Sequence, residues 1–350
     1  MRRTWLCIAL LCVAVVAVDG PMRPSRGQEV FKLFAVKLKL PLGLNEADLI
    51  IPEDNPLIPD KVALGQQLYF DPRLSADGTV ACATCHNPRF GFTDGQAVST
   101  GIKGQKGGRS APTTINRAFS TLQFWDGRAA SLEEQAKGPM VNPIEMGNPS
   151  HEVVVERLKK ITGYREAFQR VFGTADFTIE HVAKAIAAYE RTNLSGNAPV
   201  DRFRAGDTTA LSAAAQRGLA LFEGKARCGR CHTPGNFTDE QFHNTGVGMD
   251  KPQPDPGRYT ITKQEKDQGA FKTPTLRDIA LTTPYFHDGS VQTLEEVVEF
   301  YNTGGLKNPS LSKEMVPLNL TAQEKADLVA FLRALTGEVA FAVFAPELPR

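Results

Sequence analysis

Two Cys-x-x-Cys-His motifs constrain this chain more than anything else in it: Cys82-Ala-Thr-Cys85-His86 and Cys228-Gly-Arg-Cys231-His232. A c-type haem needs two thiols spaced to reach its two vinyl groups. It also needs an imidazole directly after the second thiol to bind iron on one face, and each motif supplies that set. The alternatives are a zinc ribbon and a thioredoxin-like redox pair. Zinc-binding Cys-x-x-Cys units usually lie roughly 15–20 residues apart, whereas these lie 146 apart and each carries the histidine. The expectation is two covalently bound c haems, on Cys82, Cys85 and His86 and on Cys228, Cys231 and His232.

The N-terminus places these motifs in an oxidising compartment. Met1-Arg2-Arg3, an apolar run from Trp5 to Val18 and then Asp19-Gly20-Pro21 form the pattern of a cleaved signal peptide, assigned to residues 1–20. A run this short falls below the roughly 20 residues of a membrane span, although a retained anchor is the alternative. Cys7 and Cys12 leave with the signal, so every remaining cysteine belongs to a haem motif and none is left for a disulfide. The expected location is the periplasm. A net charge of +1, with no long run of one sign, gives no reason to expect nucleic acid or an anionic membrane as partner.

The chain also repeats itself. Gly65-Gln-Gln-Leu68-Tyr69 and Gly218-Leu-Ala-Leu221-Phe222 precede the two motifs, and Phe92-Thr93-Asp94 and Phe237-Thr238-Asp239 follow them. Pro112 leads after 13 residues to Trp125 in Phe124-Trp125-Asp126-Gly127, and Pro274 leads after 13 to His287 in Phe286-His287-Asp288-Gly289. Ser131-Leu-Glu-Glu134 and Thr293-Leu-Glu-Glu296 read as capping boxes that start a helix in each copy. Further helices are predicted over Ile179–Arg191, over Ala213–Glu223 and from Thr321 to a stop at Gly337. Alternating strand patterns are scarce. The predicted fold is all-α: two cytochrome c-like haem domains related by internal duplication, residues 27–200 and 201–350, joined near Ser195–Asp207, with Val247–Tyr259 a loop of the second.

The repeat separates the two haems chemically. Fourteen residues after Trp125 stands Pro139, and fourteen after His287 stands Tyr301. Tyrosine offers iron an oxygen ligand, whereas proline has no side-chain donor. The first haem is therefore expected to be open on one face and the second closed by Tyr301. The alternative is that Tyr301 is a core aromatic and Met249 or Met315 closes the second haem.

These motifs, together with Pro52-Glu-Asp-Asn55-Pro56, Gly91-Phe-Thr-Asp94-Gly95, Gln135-Ala-Lys-Gly138-Pro139, Ile144-Glu145-Met146 and Pro284-Tyr285-Phe286-His287, resemble the bacterial di-haem cytochrome c peroxidases and their MauG-like relatives over nearly the whole chain after the signal. The resemblance implies hydrogen peroxide reduction in the periplasm at the N-terminal haem, with the C-terminal haem as electron gate. It implies that Glu145 shuttles a proton between the peroxide oxygens, that Gln135 steadies bound peroxide, and that Trp125 relays electrons between the haems. Trp125 is the only tryptophan outside the signal segment.

Three positions depart from the peroxidase pattern. The histidine that caps the first haem in common peroxidases is matched by Lys103, read as a charged surface residue. Tyr301 stands where those peroxidases place methionine, as in MauG-like proteins, and a harder oxygen ligand favours oxidised iron. The asparagine of an interdomain calcium site is matched by Ser110, while Thr282 and Pro284 match its carbonyl ligands. His243 and His287 are read as hydrogen-bonding residues near the second haem. His151 and His181 are given no role.

The leading function is a peroxidase fed by a small periplasmic donor, a cytochrome c or a cupredoxin. The alternative is a MauG-like oxidase that uses high-valent di-haem iron to modify a protein substrate. A plain di-haem electron carrier would close both irons with strong ligands, and Gln135, Pro139 and Glu145 argue against that. Oligomeric state, a homodimer included, is left open.

Overall fold

The computed structural model describes residues 38–339 and 344–350; the expected signal segment, with Cys7 and Cys12, lies outside the described residues. Helices of six or more residues are α1 (Pro59–Tyr69), α2 (Leu132–Val141), α3 (His151–Lys159), α4 (Thr162–Phe172), α5 (Ile179–Glu190), α6 (Pro199–Arg204), α7 (Ala213–Glu223), α8 (Leu294–Asn302) and α9 (Ala322–Arg333). The described strands are two antiparallel pairs of two residues: Ser195–Gly196 with Glu338–Val339, and Phe242–His243 with Phe271–Lys272. Helices joined by long irregular chain follow from a sequence rich in cap signals and poor in alternating apolar runs.

The caps behave largely as their residue types dictate. Thr293 Oγ1 accepts from the Glu296 amide at 3.2 Å and Glu296 Oε2 accepts from the Thr293 amide at 2.9 Å, a reciprocal box that starts α8. At α2 only half of the predicted box forms. Ser131 Oγ accepts from the Glu134 amide at 3.1 Å, but Glu134 Oε2 reaches past the cap to the Ala130 amide at 2.6 Å. Helix α9 ends at Arg333 with Ala334 as its cap, short of the predicted stop at Gly337. The Gly337 amide is instead held by Asp278 Oδ1 at 2.9 Å, which aims the chain into its strand.

Two large hydrophobic cores follow, beside a third, small cluster of Ala118, Phe119 and Leu194. One spans Leu57 to Tyr189 and is centred on α1 and α5; the other spans Ala198 to Leu335 and is centred on α7 and α9. Each fully buried Leu or Phe contributes about 1.5–3 kcal/mol. In each core a glycine sits where two helices cross: Gly65 of α1 lies against the Ala185 carbonyl of α5, and Gly218 of α7 against the Asp327 carbonyl of α9.

Local geometry recurs at corresponding positions of the two halves. Phe124 and Phe286 both take positive φ, 67° and 70°, although L-residues with a bulky side chain rarely do. Single β-bridges, Gln123 to Ala129 and Tyr285 to Val291, clamp the two turns that contain them. The stretch read as a joint, Ser195–Asp207, is packed structure and not free linker. It carries a strand and α6, and Asp201 is buried against Arg277 at 2.7 and 3.0 Å.

Replacing Gly65 or Gly218 by alanine sets a methyl against a backbone carbonyl that cannot move without its helix. Each substitution is expected to destabilise by about 1–3 kcal/mol and to lower the thermal midpoint of the intact protein. Gly108→Ala, where a Cβ meets nothing within 4 Å, is the control and should leave it in place. Equal midpoints for all three variants would mean that the helices do not cross as tightly as described.

Candidate functional site

Each motif opens onto a large internal space. The first cavity has a volume of about 540 Å3, with Cys85 and His86 on its wall. The second has a volume of about 240 Å3, with Cys228, Cys231 and His232 on its wall. His86 Nδ1 lies 3.3 Å from the Phe92 carbonyl and His232 Nδ1 lies 2.9 Å from the Phe237 carbonyl. Phe92 and Phe237 hold positive φ, 60° and 52°, at these turns. With a proton on each Nδ1, that bond fixes the ring and leaves Nε2 as the free donor. Burial holds both imidazoles below their ordinary pKa, so they stay neutral, the form that ligates a metal.

Burial acts on the motif thiols as well. The four described cysteines are unpaired. Burial pushes Cys85 up to about 11 and Cys228 up to about 12. Thiolate formation needs a lowered pKa.

Beyond the motifs the two cavities differ. In the first, Gln135 and Pro139 stand one turn apart on α2 and both face the space, with Glu145 beyond them. Glu145 Oε1 accepts from Asn142 Nδ2 at 2.8 Å, and its backbone carbonyl accepts from the Ile102 amide at 3.0 Å. Gly101 is pressed against the backbone of Ile144 and Glu145, so the loop after the first motif braces the carboxylate. Burial raises the Glu145 carboxyl above its usual range, partly opposed by Arg128. A carboxyl held that way exchanges a proton closer to neutrality. Lys103 is exposed at a positive φ of 55°, and its side chain is no part of this wall.

In the second cavity α8 presents Tyr301, and Met315 also reaches the wall, whereas Met249 does not. Tyr301 packs between Phe286 and Phe300 at centroid separations of 6.2 and 5.6 Å. Burial holds its phenol well above the usual range. His287 stacks on Phe271 at 3.6 Å, and His243 Nε2 pairs with Asp239 at 2.8 Å, so both histidines have structural partners. His151 Nε2 bonds the Lys137 carbonyl at 3.0 Å, and His181 Nδ1 accepts from the Thr178 amide at 3.1 Å.

Trp125 lines both cavities. Its indole N–H donates to the Ser110 carbonyl at 2.9 Å, and its own carbonyl accepts from the Lys272 amide at 2.8 Å. Ser110, Thr282 and Pro284 meet along the wall of the second cavity and offer only neutral oxygens. Among the described residues the one converging cluster of three His, Cys, Asp or Glu is Cys231, Asp239 and His243, at the haem motif. Calcium takes six to eight oxygens, usually including carboxylates, so the fit of these three to calcium is incomplete and no chemistry is derived through it.

Residues 59–209 match the family described as di-haem cytochrome c peroxidase. A methylamine utilization protein MauG of Methylorubrum extorquens is 46% identical over 301 residues, covering 85% of this chain and 84% of that one. A cytochrome-c peroxidase of Denitromonas iodatirespirans is 41% identical over 316 residues, covering 82% and 84%. A crystal structure described as a MauG-like protein associated with microbial copper homeostasis superimposes with a TM-score of 0.80 at 35% identity, over 87% of this chain and 96% of that one.

Sequence reasoning missed Glu190, Arg117 and Lys272, all buried on the wall of the first cavity. A signal for Glu190 did exist: a lone acid directly after the buried run Ala185–Tyr189 of α5. Its Oε2 has no hydrogen-bond partner, and burial raises its pKa from 4.5 to about 8. The folded protein therefore holds this proton more tightly than the unfolded chain does. The stabilisation from protonated Glu190 is complete below about pH 4.5 and is lost as pH rises through about 8. Glu190→Gln should remove that dependence and leave the variant more stable than wild type in mild alkali, by up to a few kcal/mol. Urea unfolding across this pH range checks it, and parallel profiles for the two proteins would refute the assignment.

Proposed function

Because the chain belongs to the di-haem cytochrome c peroxidase family, we propose that it is a peroxide-dependent di-haem c oxidoreductase, reducing hydrogen peroxide at the cavity of His86 with electrons that enter through the cavity of His232. The carrying observation is the inequality of the walls beyond the two motifs: Gln135, Pro139 and Glu145 in one, Tyr301 in the other. On this reading Cys82 and Cys85, and Cys228 and Cys231, would attach the haems covalently, and His86 and His232 would each hold one iron. The two halves, residues 27–200 and 201–350, are copies of one haem-binding unit; the separate hydrophobic cores and the recurring turns support this. Export to the periplasm supplies the peroxide and a small electron donor, a cytochrome c or a cupredoxin.

Bound haem supplies iron for the redox step. The chain's residues do the rest. Glu145, oriented through Oε1 by Asn142, takes a proton from one peroxide oxygen and returns it to the other as the bond between them breaks. Gln135 offers both an amide donor and an acceptor to hold the peroxide. Pro139, with no side-chain donor, would offer the first haem no ligand. Tyr301 would hold the second haem's iron through its oxygen. Trp125, anchored through its indole and its carbonyl, relays electrons between the cavities.

Tyr301 also favours a second reading, a MauG-like oxidase that withdraws electrons from a partner protein. An oxygen ligand stabilises oxidised iron and makes electron uptake from a high-potential donor harder. Peroxide added to the fully oxidised protein separates the two readings. An immediate, persistent change in the visible and near-infrared spectrum supports the oxidase, and no change until one electron is supplied supports the peroxidase.

Glu145→Gln is expected to slow peroxide turnover by roughly 10²–10⁴-fold without loss of either haem; turnover at the wild-type rate would remove Glu145 from the mechanism. EPR of the oxidised protein should show one high-spin and one low-spin haem. Two low-spin haems would mean that the first iron is not open. Tyr301→Phe should perturb the low-spin signal and Met315→Leu should not; the reverse pattern would assign the closing ligand to Met315.

A further inference from the structure

We propose that Arg117, with Lys272 beside it, is a carboxylate-binding site shared by the two cavities, and that its ligands are the propionates of the haems. The inference rests on haem in both cavities, as proposed above.

Arg117 is 9% exposed, and its Nη2 has no hydrogen-bond partner. Its one described contact is a long bond of 3.4 Å from Nε to the Ile115 carbonyl. Lys272 is 5% exposed and extends its Nζ to the Leu122 carbonyl at 2.9 Å and Glu240 Oε2 at 3.2 Å. The other oxygen of Glu240 is occupied by the Ser120 hydroxyl at 2.9 Å. Two buried cations thus share one carboxylate that is already bonded elsewhere. Burial and the charge of Arg117 together pull the Lys272 ammonium down to about 7. Lysine can shed its proton in such a place; a guanidinium cannot, so its buried charge calls for an anion.

Among the described residues Arg117 has no second carboxylate partner. Of the acids on the cavity walls, Asp126 and Asp255 are bonded to Arg109, and Glu314 pairs with Arg227 and Arg230. Glu145 is held by Asn142. Glu190 is influenced by Arg191 and Glu133, and the only carboxylate acting on Arg117 is Glu240. Arg117 and Lys272 both line both cavities. A haem is an apolar plate with two carboxylates on one edge. It suits a largely apolar space that carries fixed positive charge at one place, and guanidinium is the side chain best shaped for carboxylate. Arg117 is therefore a positioning residue: it orients the two haems and sets the charge around them, with no role in bond breaking.

The test uses the full-length, haem-loaded protein. Haem is counted first by pyridine haemochrome; fewer than two haems in wild type would sink the functional reading and this site with it, whereas two haems leave the site to be decided by the comparison that follows. The propionate bands in resonance Raman and the two midpoint potentials are then compared in wild type, Arg117→Met and Arg117→Lys. Loss of the cation should shift at least one propionate band and lower at least one midpoint potential, because positive charge favours the reduced haem. Arg117→Lys should restore most of both. Unchanged bands and potentials in Arg117→Met, with both haems present, would overturn the proposal. Should Arg117→Met fail to fold, a crystal structure of the wild-type holoprotein decides. A propionate oxygen within hydrogen-bond distance of Nη2 supports the site, and a chloride, a phosphate or water alone there overturns it.

Discussion

Spaces of about 540 and 240 Å3 behind the two motifs are far larger than the voids a packed interior tolerates. Protein cores pack as densely as organic crystals, and each increment of unfilled volume costs stability. The cores from Leu57 to Tyr189 and from Ala198 to Leu335 therefore leave room for the haem groups that the family carries. A helix covers only one side of a flat group, and turns such as those at Phe92 and Phe237 line the rest, their carbonyls orienting the His86 and His232 imidazoles.

Within that shared plan the two cavities diverge through few residues. Pro139 stands on α2 and Tyr301 on α8, each on the wall of its own cavity. Around Pro139 the wall is polar and braced: Asn142 bonds Glu145, and the loop at Gly101 and Ile102 holds its backbone. Around Tyr301 it is aromatic, with Phe286 and Phe300 against the ring.

The features legible in the sequence are those whose physical cause is local. The haem motifs are complete within five residues, and the caps at Ser212 and Thr321 act within one turn, so both could be read directly. Glu134, which bypasses its own cap, and Gly337, which is held by Asp278 rather than ending a helix, depend on neighbours brought in by the fold. The stretch Ser195–Asp207 looked like a linker because its polar and small residues say nothing of the buried Arg277 that Asp201 meets. Arg117 and Lys272 were invisible for the same reason: a basic residue in a sequence is by default solvated, and only the packed structure reveals that these two are not.

Coupling between the cavities needs no moving part, because they share a wall. Lys272 bonds Trp125 through its backbone amide and faces both spaces with its side chain, and the Trp125 indole is fixed to Ser110, which also lines both. A charge that changes on one side is thus felt across a low-dielectric partition, where Coulomb interactions are far stronger than in water. The carboxylates held at Arg117 would screen that partition in proportion to how well they are bound. On the proposed reading, an electron hole passing through Trp125 would meet less opposition from the cations beside it when both propionates are seated, and the residues that hold the propionates would set how readily one haem responds to the oxidation state of the other.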